Sequence, residues 1–208
     1  MKLKICGNKH QKNIAEIELL NPDYIGFIFY KNSSRNFSNS KIELAGNALK
    51  VGVFVNESFE EIIRLKSKYN LDLVQLHGDE SSKFCEKLFN AKIKVIKSFN
   101  IDKKFNFNNL KIYNKFCKYF LFDTKGELYG GNGVVFDWRI LENYNEQTFY
   151  FLSGGIGLEN FKELSLFLKT NAAKKCIAID VNSKFEIKPG IKDTVKLKEF
   201  KFLLNQLS

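Results

Sequence analysis

This sequence predicts an α/β chain folded as a single-domain (β/α)8 barrel, on three observations. Short apolar runs alternate with longer amphipathic segments along the whole chain. The repeat is even: eight strand-then-helix units fill 208 residues, with no Pro-, Gly- or Ser-rich linker between them. A polar or reactive residue also stands at the carboxyl end of nearly every strand. Strands alternating with helices imply a parallel sheet covered on both faces, wound one way by right-handed crossovers. Eight such units close into a barrel. The rival, an open doubly wound sheet, binds ligands where strand order reverses and would spread these strand ends along an edge.

The first strand, Lys2–Cys6, ends in a thiol and precedes a helical pattern at Ile14–Leu20. Strand two is Tyr24–Phe29, with Ile42–Ala48 as its helix. Strand three, Lys50–Val55, leads to Phe59–Tyr69, where Phe59, Ile62, Ile63 and Leu65 share one helical face. Asp72–His77 and Lys83–Phe89 form the fourth unit. Lys92–Ser98 and the weaker stretch Leu110–Cys117 form the fifth. Tyr119–Asp123 is apolar until its last residue, and a long connection separates it from Arg139–Tyr144. Tyr150–Ser153 with Leu158–Leu168, and Cys176–Val181 with Thr194–Leu204, complete the set.

The strand ends are Cys6, Tyr30, Asn56, His77, Ser98, Asp123, Ser153 and Asp180, spaced by 21 to 30 residues. In a barrel they converge on one rim, where barrel active sites sit. Alternation puts Cys6 and Lys4 inside and Leu3 and Ile5 against the helices. Cys6 reads in two ways. It is a small buried hydrophobe, or a thiol whose pKa the inward Lys4 lowers, making a thiolate available. Asp123 either caps the next turn or, desolvated, keeps a proton and serves as a general acid. His77 orients a ligand or is structural.

Phosphate signals come late. Ser153-Gly154-Gly155-Ile156-Gly157 follows strand seven, and Asp180-Val181-Asn182-Ser183 ends strand eight. Glycines let backbone N–H groups approach a phosphate at a helix N-terminus, and these two loops are the usual barrel phosphate site. Arg35, after strand two, could hold a carboxylate in bidentate fashion or be solvated. Tyr129-Gly130-Gly131-Asn132-Gly133 lies in a connection long enough to act as a lid.

Composition bounds the rest. The net charge of +10 fits an anionic partner or a Lys-rich solvated surface. The 21 Phe residues call for a phenylalanine-rich core. Four cysteines without a C-x-x-C pair, no apolar leader and no membrane-length apolar run lead to an expectation of a cytoplasmic protein with free thiols. Two histidines and no H-x-H or H-E-x-x-H argue against a metal, and the lack of a Gly-rich fingerprint after strand one argues against a dinucleotide. No cofactor is expected.

Taken together, Lys4-Ile5-Cys6-Gly7, Gly26-Phe27-Ile28-Phe29-Tyr30, Ser34-Arg35, Val51-Gly52-Val53-Phe54-Val55-Asn56, Val74-Gln75-Leu76-His77-Gly78-Asp79-Glu80, Gly130-Gly131-Asn132-Gly133 with Phe136-Asp137-Trp138, Leu152-Ser153-Gly154-Gly155, and Asp180-Val181-Asn182-Ser183 through Pro189-Gly190-Ile191-Lys192-Asp193 resemble the phosphoribosylanthranilate isomerase family. The resemblance implies a TIM barrel over residues 1–208 that isomerises N-(5-phosphoribosyl)anthranilate in tryptophan biosynthesis by an Amadori rearrangement. It implies Asp123 as general acid and Cys6 as general base. Arg35, His77, Gly154, Gly155, Asn182 and Ser183 would bind substrate. The partner is a phosphorylated small molecule, with no nucleic acid or membrane, and the assembly is a monomer or homodimer.

One stretch departs from the family. Its usual Ser-Ser-Gly after strand eight reads Asn182-Ser183-Lys184 here, so the loop loses its easy access to positive φ. Lys184 either contacts phosphate or faces solvent. Lys4 and Asp180, both inward, are expected to pair beneath the site. Two other readings compete. A related phosphosugar barrel enzyme would need a His/Asp metal cluster or inward Lys and Glu residues that this chain lacks. A noncatalytic anion- or nucleic-acid-binding barrel has only the net charge in its favour, without a basic stripe interleaved with aromatics.

Overall fold

A computed structural model describes residues 1–39, 41–124 and 137–207. Eight parallel strands close into a barrel in sequence order: β1 (Lys2–Ile5), β2 (Tyr24–Ile28), β3 (Leu49–Phe54), β4 (Leu73–Leu76), β5 (Val95–Ile101), β6 (Tyr119–Thr124), β7 (Tyr150–Leu152) and β8 (Cys176–Val181). The seam is β8 on β1, with Lys4 opposite Asp180 and Ile5 opposite Val181. A short antiparallel hairpin, β9 (Glu186–Lys188) and β10 (Ile191–Lys192), follows β8. The predicted lid around Gly130–Gly133 lies outside the described residues. No helix among the described residues is long and apolar enough to cross a membrane.

Five α-helices are described: α1 (Gln11–Glu18), α2 (Phe59–Tyr69), α3 (Ser82–Asn90), α4 (Phe161–Phe167) and α5 (Thr194–Asn205). Local chemistry sets their starts. Ser58 and Ser81 accept the N–H of Glu61 and Phe84, and Asp193 accepts those of Val195 and Lys196. The helix expected at Ile42–Ala48 is absent. That stretch is extended and irregular, with Ile42 and Leu44 half-buried and Lys41, Glu43 and Ala45 exposed, a period of two rather than 3.6. Gly46 and Asn47 disfavour a helix so short, and Glu18 supplies the missing acceptor by taking the N–H of Gly46 at 2.8 Å. The stretches near Leu110 and Arg139 form 3-10 turns, Phe107–Tyr113 and Trp138–Asn143, instead of α-helices. Strand five starts later than Lys92, because Lys92 has φ +61 and closes the turn after α3.

Side chains separate into two shells. Leu3, Ile5, Ile25, Phe27, Val74, Leu76, Phe120, Phe122 and Ile179 face outward and pack under Ile14, Ile17, Ile62, Leu88, Leu197 and Phe200 of the helices. The predicted phenylalanine-rich packing is found here; Phe122 meets Tyr150 at 4.9 Å between ring centroids. Inside, Tyr24, Val51, Leu73, Ile96, Leu121, Phe151 and Ala178 form a separate apolar layer near the amino ends of the strands. Two residues further along β4, β5, β6 and β8 the interior turns polar: Gln75, Ser98, Asp123 and Asp180 are all buried, as is Lys4 on β1, while β3 keeps apolar Val53.

Candidate active site

Cys6 follows β1, and its N–H is held by Val181 O at 2.9 Å. The turn behind it is locked by Asn8, a buried side chain that donates to Ile5 O (2.7 Å) and Gly26 O (3.0 Å). A Cβ on Gly26 would lie 2.7 Å from Cys6 Sγ, so only glycine leaves room for the thiol. Beneath it, Lys4 Nζ donates to both oxygens of Asp180, each at 2.9 Å, as alternation and register required. Burial opposes the Lys4 charge, but Asp180 and the neighbouring thiol outweigh it and hold the ammonium above the ordinary lysine range.

The Cys6 thiol is buried. Burial pushes Cys6 up, and Lys4 and Lys192 do not pull it back. Lys4 is the strongest opposing influence, but Asp180 offsets part of it and the loss of solvation outweighs the rest.

Asp123 is buried near the end of β6. Its Oδ1 accepts the N–H of Thr124 at 2.8 Å, and its Oδ2 lies 3.1 Å from His77 Nε2. His77 Nδ1 lies 2.8 Å from Gln75 Nε2. With the amide donating, the imidazole proton sits on Nε2 and points at Asp123. His77 thus faces the carboxylate. Gln75 also donates to Ser98 Oγ at 3.2 Å, so the polar interior layer supports the rim.

The loop after β7 runs against this acid. Gly154 and Gly155 have φ of +93 and +63, and a Cβ on Gly154 would stand 2.6 Å from Thr124 N. Positive φ and that close approach together require glycine there. After β8, Asn182 leads into a 3-10 turn, Ser183–Phe185. None of its residues has positive φ, so the loop does without the family's glycine. Lys184 Nζ lies 2.7 Å from Glu159 Oε1, a partly exposed ion pair that reaches toward the β7 side. Asn182 Oδ1 is occupied by Lys192 Nζ at 2.6 Å.

Arg35 reaches the Cys6–Gly7 turn. Its Cδ lies 2.9 Å from where a Cβ on Gly7 would be. Its guanidinium is gripped by Glu186: Nε to Oε1 at 2.9 Å and Nη2 to Oε2 at 2.6 Å. Burial raises the Glu186 carboxyl, but Arg35 and Lys192 outweigh that and hold it below the usual range.

Two buried ion pairs were not anticipated. Lys192–Glu186 backs Arg35, and Lys97–Glu80 (3.1 Å) ties together the turns after β3 and β4, since Glu80 also accepts the N–H groups of Asn56 and Gly78. Lys192 sits inside the Pro189–Asp193 motif, but nothing in its local pattern announces a partner. Cys6, Asp123, His77, Gly154, Gly155, Asn182 and Ser183 all lie at the carboxyl ends of the barrel strands. Arg35 approaches from the loop after β2.

Such a rim offers a thiol, a carboxylate and an amide-rich glycine loop, which suits proton transfers on a phosphorylated substrate. Comparison with known proteins gives the same direction. The family model for N-(5'phosphoribosyl)anthranilate (PRA) isomerase matches residues 3–201. An N-(5'-phosphoribosyl)anthranilate isomerase of Parabacteroides distasonis is 42% identical over 206 residues, covering 96% of this chain and 91% of the relative. Among solved structures, the phosphoribosyl anthranilate isomerase of Thermotoga maritima superposes with a TM-score of 0.83 at 31% identity, covering 99% of each chain. A phosphoribosyl anthranilate isomerase in complex with reduced 1-(o-carboxyphenylamino)-1-deoxyribulose 5-phosphate gives 0.80 at 30% identity, again over 99% of each chain. The chain belongs to the N-(5'-phosphoribosyl)anthranilate isomerase family.

Proposed function

We propose that residues 1–208 form one catalytic domain that converts N-(5-phosphoribosyl)anthranilate to 1-(2-carboxyphenylamino)-1-deoxyribulose 5-phosphate. The observation that carries this reading is the placement of Cys6 and Asp123 on one rim, at the ends of β1 and β6, with the Gly154–Gly155 loop beside the acid. Asp123 protonates the ring oxygen of the ribose, and the C1–O bond breaks as the anthranilate nitrogen forms an iminium with C1. Cys6, as thiolate, removes the proton from C2. The resulting enolamine gains a proton at C1 and loses one from its C2 hydroxyl, leaving the ketone. No electrons leave the substrate, so no redox cofactor is required.

The thiol, pushed up by burial, must lose its proton before it can act. Asp123 must carry one, while in the free protein its two oxygens accept from Thr124 and His77. In the working state the thiol is deprotonated and Asp123 protonated, with His77 beside the acid. The N–H groups of Gly154 and Gly155, with the backbone at Asn182 and Ser183, bind the phosphate; Arg35 takes the anthranilate carboxylate.

The test is loss of substrate fluorescence with phosphoribosylanthranilate generated in situ. Parent turnover, cut about a hundredfold or more in both Cys6→Ser and Asp123→Asn with circular dichroism unchanged, supports the assignment. A folded parent without turnover refutes it.

A further inference from the structure

Arg35 does not stand alone at the rim. Its Nε and Nη2 are engaged by Glu186, whose side chain is 4% exposed against 17% for Arg35. Glu186 is held in turn by Lys192 Nζ at 2.8 Å and by the N–H of Gly190 at 3.0 Å. Lys192 is fully buried and donates to three acceptors: Glu186 Oε1, Asn182 Oδ1 and Asn182 O. Burial lowers the Lys192 pKa, Glu186 opposes that, and the three acceptors match the three hydrogens of an ammonium.

Two consequences follow from chemistry. A guanidinium has two edges that match a carboxylate, and Glu186 occupies the Nε/Nη2 edge. Among the described residues Nη1 has no partner, so the Nη1/Nη2 edge is the one left for a ligand. An Arg–Glu pair alone is neutral and would attract no second carboxylate. With Lys192 the group comprises two cations and one anion, and its net positive charge is restored.

We propose that Glu186, backed by Lys192, is a positioning residue that aims the free edge of Arg35 and so makes the site selective for an aromatic amine bearing an ortho-carboxylate. This rests on the reading of Arg35 given above.

The test uses the full chain and two probes. One is reduced 1-(2-carboxyphenylamino)-1-deoxyribulose 5-phosphate. The other is the same compound without its carboxylate. Calorimetry gives a Kd for each, and their ratio is the readout. The parent should prefer the carboxylated probe by about 10- to 100-fold, as one bidentate charged pair allows. Glu186→Gln should reduce the preference to within about threefold while leaving the Kd of the other probe unchanged. Arg35→Ala should erase the preference.

A Glu186→Gln protein that keeps the parental ratio overturns the proposal, and so does one that weakens both probes equally, since a merely structural residue would do that. No preference in the parent, or a full preference in Arg35→Ala, removes the reading of Arg35 and this proposal with it. Loss in Arg35→Ala but not in Glu186→Gln removes the proposal alone. Should Glu186→Gln fail to fold, Glu186→Asp, which keeps the charge but withdraws the carboxylate, is held to the same ratio.

Discussion

The two layers inside the barrel share strands β4, β5, β6 and β8 and differ in almost everything else. Near the amino ends, Tyr24, Val51, Leu73, Ile96, Leu121, Phe151 and Ala178 fill the interior with apolar side chains. One pleat further on, Lys4, Gln75, Ser98, Asp123 and Asp180 are just as buried but polar or charged. Because strand side chains repeat every two residues, a step from Leu121 to Asp123 passes from packing to chemistry without changing strand or face. The lower layer gains stability by removing apolar surface from water. The upper layer holds charges out of water and does so only through partners.

The largest break in this contrast should come from below. Phe151→Ala removes a ring that packs 5.0 Å from Tyr24 and 5.3 Å from Tyr119, and should cost about 3–5 kcal/mol in urea unfolding. The fraction still folded should retain its turnover number, because no rim residue is touched. A smaller loss, of about 3 kcal/mol, is expected for Asp180→Ala, which strands the Lys4 ammonium without its carboxylate. A variant as stable as the parent would show that the upper layer needs no internal pairing. Here turnover should fall as well, since Lys4 lies beside Cys6.

The smallest effect should appear only with acid. Glu186 is held below the ordinary carboxyl range, so its contribution to stability is complete above the unfolded value. It is lost as pH falls through the folded value. Denaturant midpoints measured from pH 7 down to the acid limit should therefore drop less steeply in Glu186→Gln than in the parent. Equal slopes would mean that the Arg35–Glu186–Lys192 group adds no pH-dependent stability.

How far this was legible in the sequence follows from distance along the chain and from periodicity. Strand ends were readable because apolar runs stop abruptly at Cys6, His77 and Asp123. Lys4 and Asp180 could be paired in advance, because both point inward on the first and last strands of a closed barrel. The segment Ile42–Ala48 could not be settled, because two half-buried positions fit a helical turn as well as an extended chain, and a side chain from α1 decided between them. The grip of Glu186 on Arg35 joins residues 151 apart through a loop and a hairpin, and no periodicity connects them. Nor did the sequence reveal that loss of solvation at Cys6 would outweigh the pull of Lys4.

The seam between β1 and β8 has a consequence for how the protein comes into being. Lys4 is synthesised 176 positions ahead of Asp180, its partner. Until then β1 has one neighbouring strand instead of two, and the thiol has no floor. The pocket around Cys6 is thus among the last features a nascent chain acquires. A polypeptide interrupted before β8 carries Cys6 and Asp123 but no closed rim on which they meet, so the order of synthesis delays that meeting until the barrel can close.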